Sequence, residues 1–183
     1  SINRFIVKRR GYLGVKSWTG TMFEYFMPNL LLPVYKGSLS DEMLRFALSE
    51  QMRYGGRGPW GISECGIYSF DKSLAYQYKA CGVPALALKP DADKDMVISP
   101  YSTYLALPFA PEACVRNLKK LRDLDMYGEY GFFEAIDYTP TRTGGNPCIV
   151  RSYMAHHLAM SFISCLNYRF DNIMQRRFMS CRM

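Results

Sequence analysis

No apolar run in the 183 residues approaches the ~18 that a membrane-spanning helix requires. The opening stretch, SINRFIVKRR, has no apolar core of signal-peptide length. Histidine is scarce. Its two copies, His156 and His157, are adjacent, so on a helix they point about 100° apart and do not readily serve one metal. Neither falls at ligand spacing from a cysteine pair, and no metal is expected. There is no G-x-G-x-x-G, P-loop or G-x-S-x-G stretch, so nucleotide cofactors and the hydrolase nucleophile elbow have no support. Cofactors are expected to be none. The six cysteines contain no C-x-x-C. In a chain of this size that is 49% apolar they read as reduced thiols of a cytoplasmic protein rather than a disulfide frame.

Positive charge is in excess, with 23 Lys and Arg against 16 Asp and Glu, a net +7. The basic residues are scattered apart from Lys8–Arg10 and Arg176–Arg177, and no nucleic-acid motif accompanies them. Nucleic acid is therefore not an expected partner. The length suits one domain. Repeats and low-complexity segments are absent.

Helical patterns are frequent. Thr19 to Leu32 reads as a helix shortened or kinked at Pro28, with Thr19 or Thr21 as N-cap. SLSDEMLRFALSEQMRYGG is the clearest, with Asp41 and Glu42 in the first turn and Gly55-Gly56 at its end. DKSLAYQYKA reads as two or three helical turns. Ser99-Pro100 starts a helix to Leu107, APEACVRNLKKLRDLD is amphipathic, and RSYMAHHLAMSFISCLNYRF is long and apolar. Residues 1–17 read as irregular and strand signals are few, CIVRSY being the best. Residues 58–84 read as a long aromatic and glycine-rich loop. The pattern therefore predicts an all-α fold of paired helices with a site where the loops gather.

Three glutamates lie among aromatic and apolar residues: Glu24 in SWTGTMFEYFMP, Glu64 in GPWGISECG and Glu134 in YGFFEAIDYTP. A poorly solvated setting raises a carboxyl pKa, as a general acid requires. Two such groups facing one glycosidic bond suffice for glycoside chemistry. The competing reading is that each pairs with an arginine or caps backbone amides.

These segments, with YGGRGPWGISECG, LAYQYKACGVPALALK, VISPYSTYLAL, IVRSYMAHHLAMS and MQRRF, together resemble the glycoamylase-like domain of cyclic β-1,2-glucan synthases, in order from about Gly14 to Phe178. The resemblance implies an (α/α)6 toroid acting on β-1,2-glucan, of which residues 1–183 supply roughly the C-terminal half as one partial domain. It implies Glu64 and Glu134 as catalytic candidates, with Glu24 next. It implies a cleft lined by Trp60, Tyr68, Tyr76, Asp137, Tyr138, Arg151, His156 and His157. The implied partners are β-1,2-glucan and the remainder of a larger parent chain, inner-membrane associated, or an oligomer. The sequence departs from that pattern at Cys65, where a small residue such as Ser is usual. It departs again at Leu158-Ala159, where Gln-Gly is usual. The expected functions are hydrolysis or ring closure of the glucan; the alternative is a non-catalytic glucan-binding or structural fragment.

Overall fold

The computed structural model describes residues 5–9, 11–92 and 94–181; Arg10 of the basic cluster lies outside them. The chain opens with an antiparallel hairpin, β1 (Ile6–Arg9) and β2 (Tyr12–Val15). Helix α1 (Met22–Phe26) follows and passes into a 3₁₀ turn, Met27–Leu30, where Pro28 removes a backbone donor. The long helix α2 (Leu39–Gly55) starts at Ser38, whose hydroxyl accepts from the Asp41 amide. A second hairpin, β3 (Glu64–Phe70) and β4 (Tyr76–Ala80), comes next. After β5 (Val97–Ile98) stand helices α3 (Pro100–Leu105) and α4 (Pro111–Arg122). A small hairpin, β6 (Tyr127–Gly128) and β7 (Gly131–Phe132), leads to β8 (Ala135–Asp137). One turn of helix, α5 (Pro140–Thr143), and β9 (Cys148–Val150) precede the closing helices α6 (Ala155–Arg169) and α7 (Ile173–Ser180). Strand β8 is the centre of an antiparallel β5–β8–β9 sheet.

Phe26, Phe46, Ile62, Leu86, Leu105 and Leu121 are fully buried and anchor the core between α1, α2, α3 and α4. Two buried amides fix the chain just ahead of β3. Gln51 on α2 exchanges hydrogen bonds of 2.8 Å with both the carbonyl and the amide of Ile62. Asn117 on α4 does the same for Trp60, at 2.9 and 2.7 Å. Each replaces a missing backbone ladder, which a buried irregular segment must do for its polar groups. The place where Glu64 leaves the core is thereby set from two helices.

The expected all-α half-toroid is overturned. Helix makes up 41% of the structure and strand 20%, in several antiparallel sheets. The largest departure is the 58–84 segment, which forms the β3–β4 hairpin instead of a loop. DKSLAYQYKA is its turn and second strand. Three residues in a row on β3, Cys65, Gly66 and Ile67, are buried, so no alternation of apolar and polar positions marks the strand. The turn is carried by Asp71, whose carboxylate accepts from the amides of Ser73 and Ala75 while Leu74 takes a left-handed φ of 61°. The remaining strands hold only two to four residues, too short for a period to show. The irregular reading of residues 1–17 gives way to β1 and β2 over Ile6–Val15, and residues 1–4 lie outside the described chain.

Candidate functional site

Strand β3 meets the β8 segment through side chains. The Gly66 amide donates to Glu134 Oε1 at 3.0 Å, and the Tyr68 amide donates to Asp137 Oδ2 at 3.0 Å. Amides two residues apart leave a strand on the same edge, so two carboxylates stand where a neighbouring strand's carbonyls would. The contact is close. A Cβ on Gly66 would lie 3.2 Å from Glu134 Cγ and 3.1 Å from Val150 Cγ1, so the absent side chain is what admits Glu134.

Glu134 is buried and also faces His157 Nδ1, at 2.9 Å from Oε1 and 3.0 Å from Oε2. His157, buried on the first turn of α6, lies flat on Tyr101 of α3, with ring centroids 3.7 Å apart and planes 11° apart. The Tyr101 hydroxyl sits 2.8 Å from Ser63 Oγ and 2.9 Å from the Glu64 carbonyl oxygen. The ring that supports the histidine therefore also fixes the backbone of Glu64. Burial pushes the Tyr101 phenol well above its ordinary value. Tyr78, opposite Gly66 on β4, closes the circuit. Its hydroxyl lies 3.2 Å from Glu64 Oε2 and 3.4 Å from His157 Nε2. Burial, then the Glu64 charge, raises the Tyr78 phenol, which stays neutral. Glu64 and Glu134 are thus joined by a chain of contacts through Tyr78 and His157.

Beside this chain is a cavity of about 220 Å³ whose walls include Tyr101, Tyr104, Phe132, Phe133, Glu134 and His157. Tyr153 lies tilted against Phe133 at 5.4 Å between ring centroids, and the Arg151 guanidinium stands 5.0 Å over the Phe133 face. His156 is exposed, 4.0 Å from His157 by ring centroids; desolvation and the neighbouring imidazole lower its pKa.

The other candidates sit elsewhere. Glu24 is the third residue of α1 and forms a capping box with Thr21. It also accepts from Ser17 Oγ at 2.7 Å and the Thr19 amide at 3.1 Å. Burial works to raise its carboxyl, but these donors outweigh it and the pKa is lowered. Trp60 is buried against α4 and the end of α2. Tyr68 and Tyr76 form an aromatic cluster with Phe70 on the β3–β4 hairpin, at centroid distances of 4.6 to 6.1 Å. Tyr138 is half-buried and its amide donates to the Met96 carbonyl. Asp137 is fully buried. It accepts from the Thr139 amide at 2.9 Å, Arg142 Nε at 2.7 Å and Arg142 Nη2 at 3.1 Å. Arg142 also pairs with Asp95, which Lys79 holds from the other side.

Sequence reasoning missed Tyr78, Tyr101 and Ser63. Tyr101 lies inside a helix and reads as core. Tyr78 becomes visible once the hairpin is assigned, because alternation then puts it on the same face as Tyr76 and Ala80.

The family model described as "Glycoamylase: Putative glucoamylase" matches residues 1–182. The chain belongs to the glycoamylase family. This glycoamylase-family chain is 39% identical over 166 residues to the cyclic β-(1,2)-glucan synthase NdvB of Rhizobium meliloti (strain 1021), a match covering 88% of the chain and 6% of the synthase. Its fold is similar to an endo-β-1,2-glucanase from Chitinophaga pinensis, solved with sophorotriose and glucose (TM-score 0.64, 18% identity, 96% of this chain and 43% of the other). It is also similar to a β-1,2-glucanase from Parabacteroides distasonis (TM-score 0.63, 22% identity, 96% and 25%). The glycoamylase-family chain therefore spans less than half of each of these relatives.

Proposed function

We propose that this chain is a carbohydrate-active region that acts on β-1,2-glucan and breaks its glycosidic bonds, passing the cleaved end to water or to a glucan hydroxyl. The observation that carries the reading is the pair of carboxyl groups, Glu64 and Glu134, linked through Tyr78 and His157, of which Glu134 and His157 line an aromatic-walled cavity. Aromatic faces suit the C–H faces of sugar rings. The substrate class is supported by what the relatives are named for: a β-1,2-glucan synthase and two β-1,2-glucanases.

Glu64 is the general acid in this reading. Tyr78 is a hydroxyl partner that can either donate to its carboxylate or accept from its carboxylic acid. Glu134 is the carboxylate that acts on the anomeric carbon or on a water. The amide of Gly66 and the His157 ring fix its orientation, which supplies the positioning that such a group requires. Tyr68, Tyr76, Tyr138, Arg151 and His156 stand as candidates for holding sugar units around it, whereas Asp137, buried and taken up by Arg142 and two amides, supports the Tyr68 backbone. Linear β-1,2-glucan incubated with this chain is expected to yield shorter chains or cyclic products by mass spectrometry. Glucan retained without any product would favour the binding reading instead.

A further inference from the structure

We propose that Tyr78 and His157 share a proton between Glu64 and Glu134, with Tyr78 as the positioning residue that couples the acid to the rest of the site. The inference deepens the glucan-cleaving reading and rests on it for the role of Glu64. A tyrosine hydroxyl has one proton to give and can also accept. Tyr78 has two partners within reach, Glu64 Oε2 at 3.2 Å and His157 Nε2 at 3.4 Å. It can donate to only one at a time.

The other end of the imidazole is committed. Nδ1 faces both oxygens of the buried Glu134 carboxyl at 2.9 and 3.0 Å, so Nδ1 carries a proton and Nε2 is left to Tyr78. Two arrangements satisfy every group. In one, protonated Glu64 donates to the Tyr78 oxygen, Tyr78 donates to Nε2, and Nδ1 donates to Glu134. In the other, Tyr78 donates to the Glu64 carboxylate and a protonated Nε2 donates to Tyr78. Passing from the second to the first forms an O–H bond at Glu64 as that of Tyr78 breaks. Tyr78 takes the Nε2 proton, and the net charge of the group is unchanged. Once Glu64 has given its proton to a leaving oxygen the group is one proton short. The water or glucan hydroxyl that receives the cleaved end releases one proton, which held at Nε2 restores the second arrangement. Passage to the first returns it to Glu64 while Glu134 keeps its imidazole donor throughout.

The groups facing this bridge are Glu64 and Cys65 on β3, Glu134 before β8, Tyr101 on α3, and His156 beside His157 on α6. Tyr101 stacks on the imidazole and holds its plane. After burial, the charges that raise the Tyr78 phenol are those of Glu64 and Cys65 on β3 and Glu134 before β8.

With two histidines in the chain, the ¹⁵N shifts of both imidazoles can be followed in the intact protein. His157 is expected to carry its proton on Nδ1 when neutral. Glu64→Gln is expected to move the His157 Nε2 resonance, although Glu64 has no direct contact with that ring nitrogen. In a Tyr78→Phe background, Glu64→Gln is expected to leave it in place. Tyr78 is partly exposed and Tyr78→Phe keeps the ring, so an unchanged thermal transition controls for folding. Turnover on β-1,2-glucan gives the second arm. Tyr78→Phe should lower kcat about 10-fold or more, leave KM within about twofold, and add nothing to the cost of Glu64→Gln, because residues acting as one unit are not additive. If Glu64→Gln moved the Nε2 resonance equally with and without Tyr78, or if the two kinetic costs summed, the bridge would be wrong. If the resonance behaves as described while no glucan is cleaved, the glucan reading fails and the bridge stands.

Discussion

Arg142→Met should destabilise the protein by about 3 kcal/mol at neutral pH. Arg142 is the cation between two acidic groups. Its Nε and Nη2 reach both oxygens of Asp137 at 2.7 and 3.1 Å, and Nη1 pairs with Asp95. The Asp137 side chain is fully buried. Breaking a buried pair from one side leaves an uncompensated charge, which costs roughly 3–5 kcal/mol. The lower end applies here, because Asp137 keeps the amides of Tyr68 and Thr139 and Asp95 keeps Lys79. For a chain of this size that corresponds to a fall in Tm of about 6–12 °C. The pH dependence has a definite sign. Burial works to raise the Asp137 carboxyl above its ordinary 3.8, but Arg142 and the two amides outweigh it and the folded pKa is depressed. Its contribution to stability is therefore present above the ordinary carboxylate pKa and lost as pH falls through the lower folded value. The gap between wild type and Arg142→Met should accordingly narrow on acidification below pH 3.8. Chemical denaturation at several pH values reads both effects. A loss under about 1 kcal/mol at neutral pH, the range of an exposed pair, or a gap that widens in acid, would refute the reasoning.

Glu24→Gln should cost about 1–2 kcal/mol through the α1 N-terminus, read by thermal unfolding, and leave glucan turnover nearly unchanged. Gly82→Ala would put a Cβ 1.6 Å from the Thr19 carbonyl oxygen, and backbone cannot yield as a side-chain tip can. A loss of about 3 kcal/mol or more, or failure to fold, is expected in soluble-yield and denaturation assays. Cys65 and Cys114 are buried; the Cys81 thiol and burial raise the first, and burial pushes the second up to about 12. Native-state alkylation followed by peptide mapping should label exposed Cys181 and spare both.

The longer helices were legible because their signals are local, whereas the short α5 and α7 were not assigned and DKSLAYQYKA was read as helix. Thr21, the Asp41–Glu42 first turn, the Ser99-Pro100 start and the amphipathic run that becomes α4 are written in nearby residues. The strands were not, because what makes β3 a strand lies far away. Its pairing partner β4 comes after a turn held by Asp71, and amides at Gly66 and Tyr68 find Glu134 and Asp137 some 68 and 69 residues on. The same distance separates the two halves of the site. The sequence marked Glu64 and Glu134 as carboxyls in apolar company, and the structure brings them to one chain of contacts. It also marked Glu24 by the same criterion, and there the apolar neighbours surround a helix cap. Composition around a carboxyl does not separate these cases; the donors that reach it do. Trp60 drew notice as an aromatic beside Glu64, yet its amide is clamped by Asn117 and the residue is buried against α4 and the end of α2.

The most direct test of the account is turnover of linear β-1,2-glucan by Glu64→Gln, Glu134→Gln and Glu24→Gln, compared with wild type. Each substitution keeps size and removes the ionisable group. The account predicts a loss of about 10²-fold or more for Glu64→Gln and for Glu134→Gln, with glucan still bound and Glu24→Gln close to wild type. Near-normal turnover by Glu64→Gln, with Glu24→Gln inactive, would contradict it.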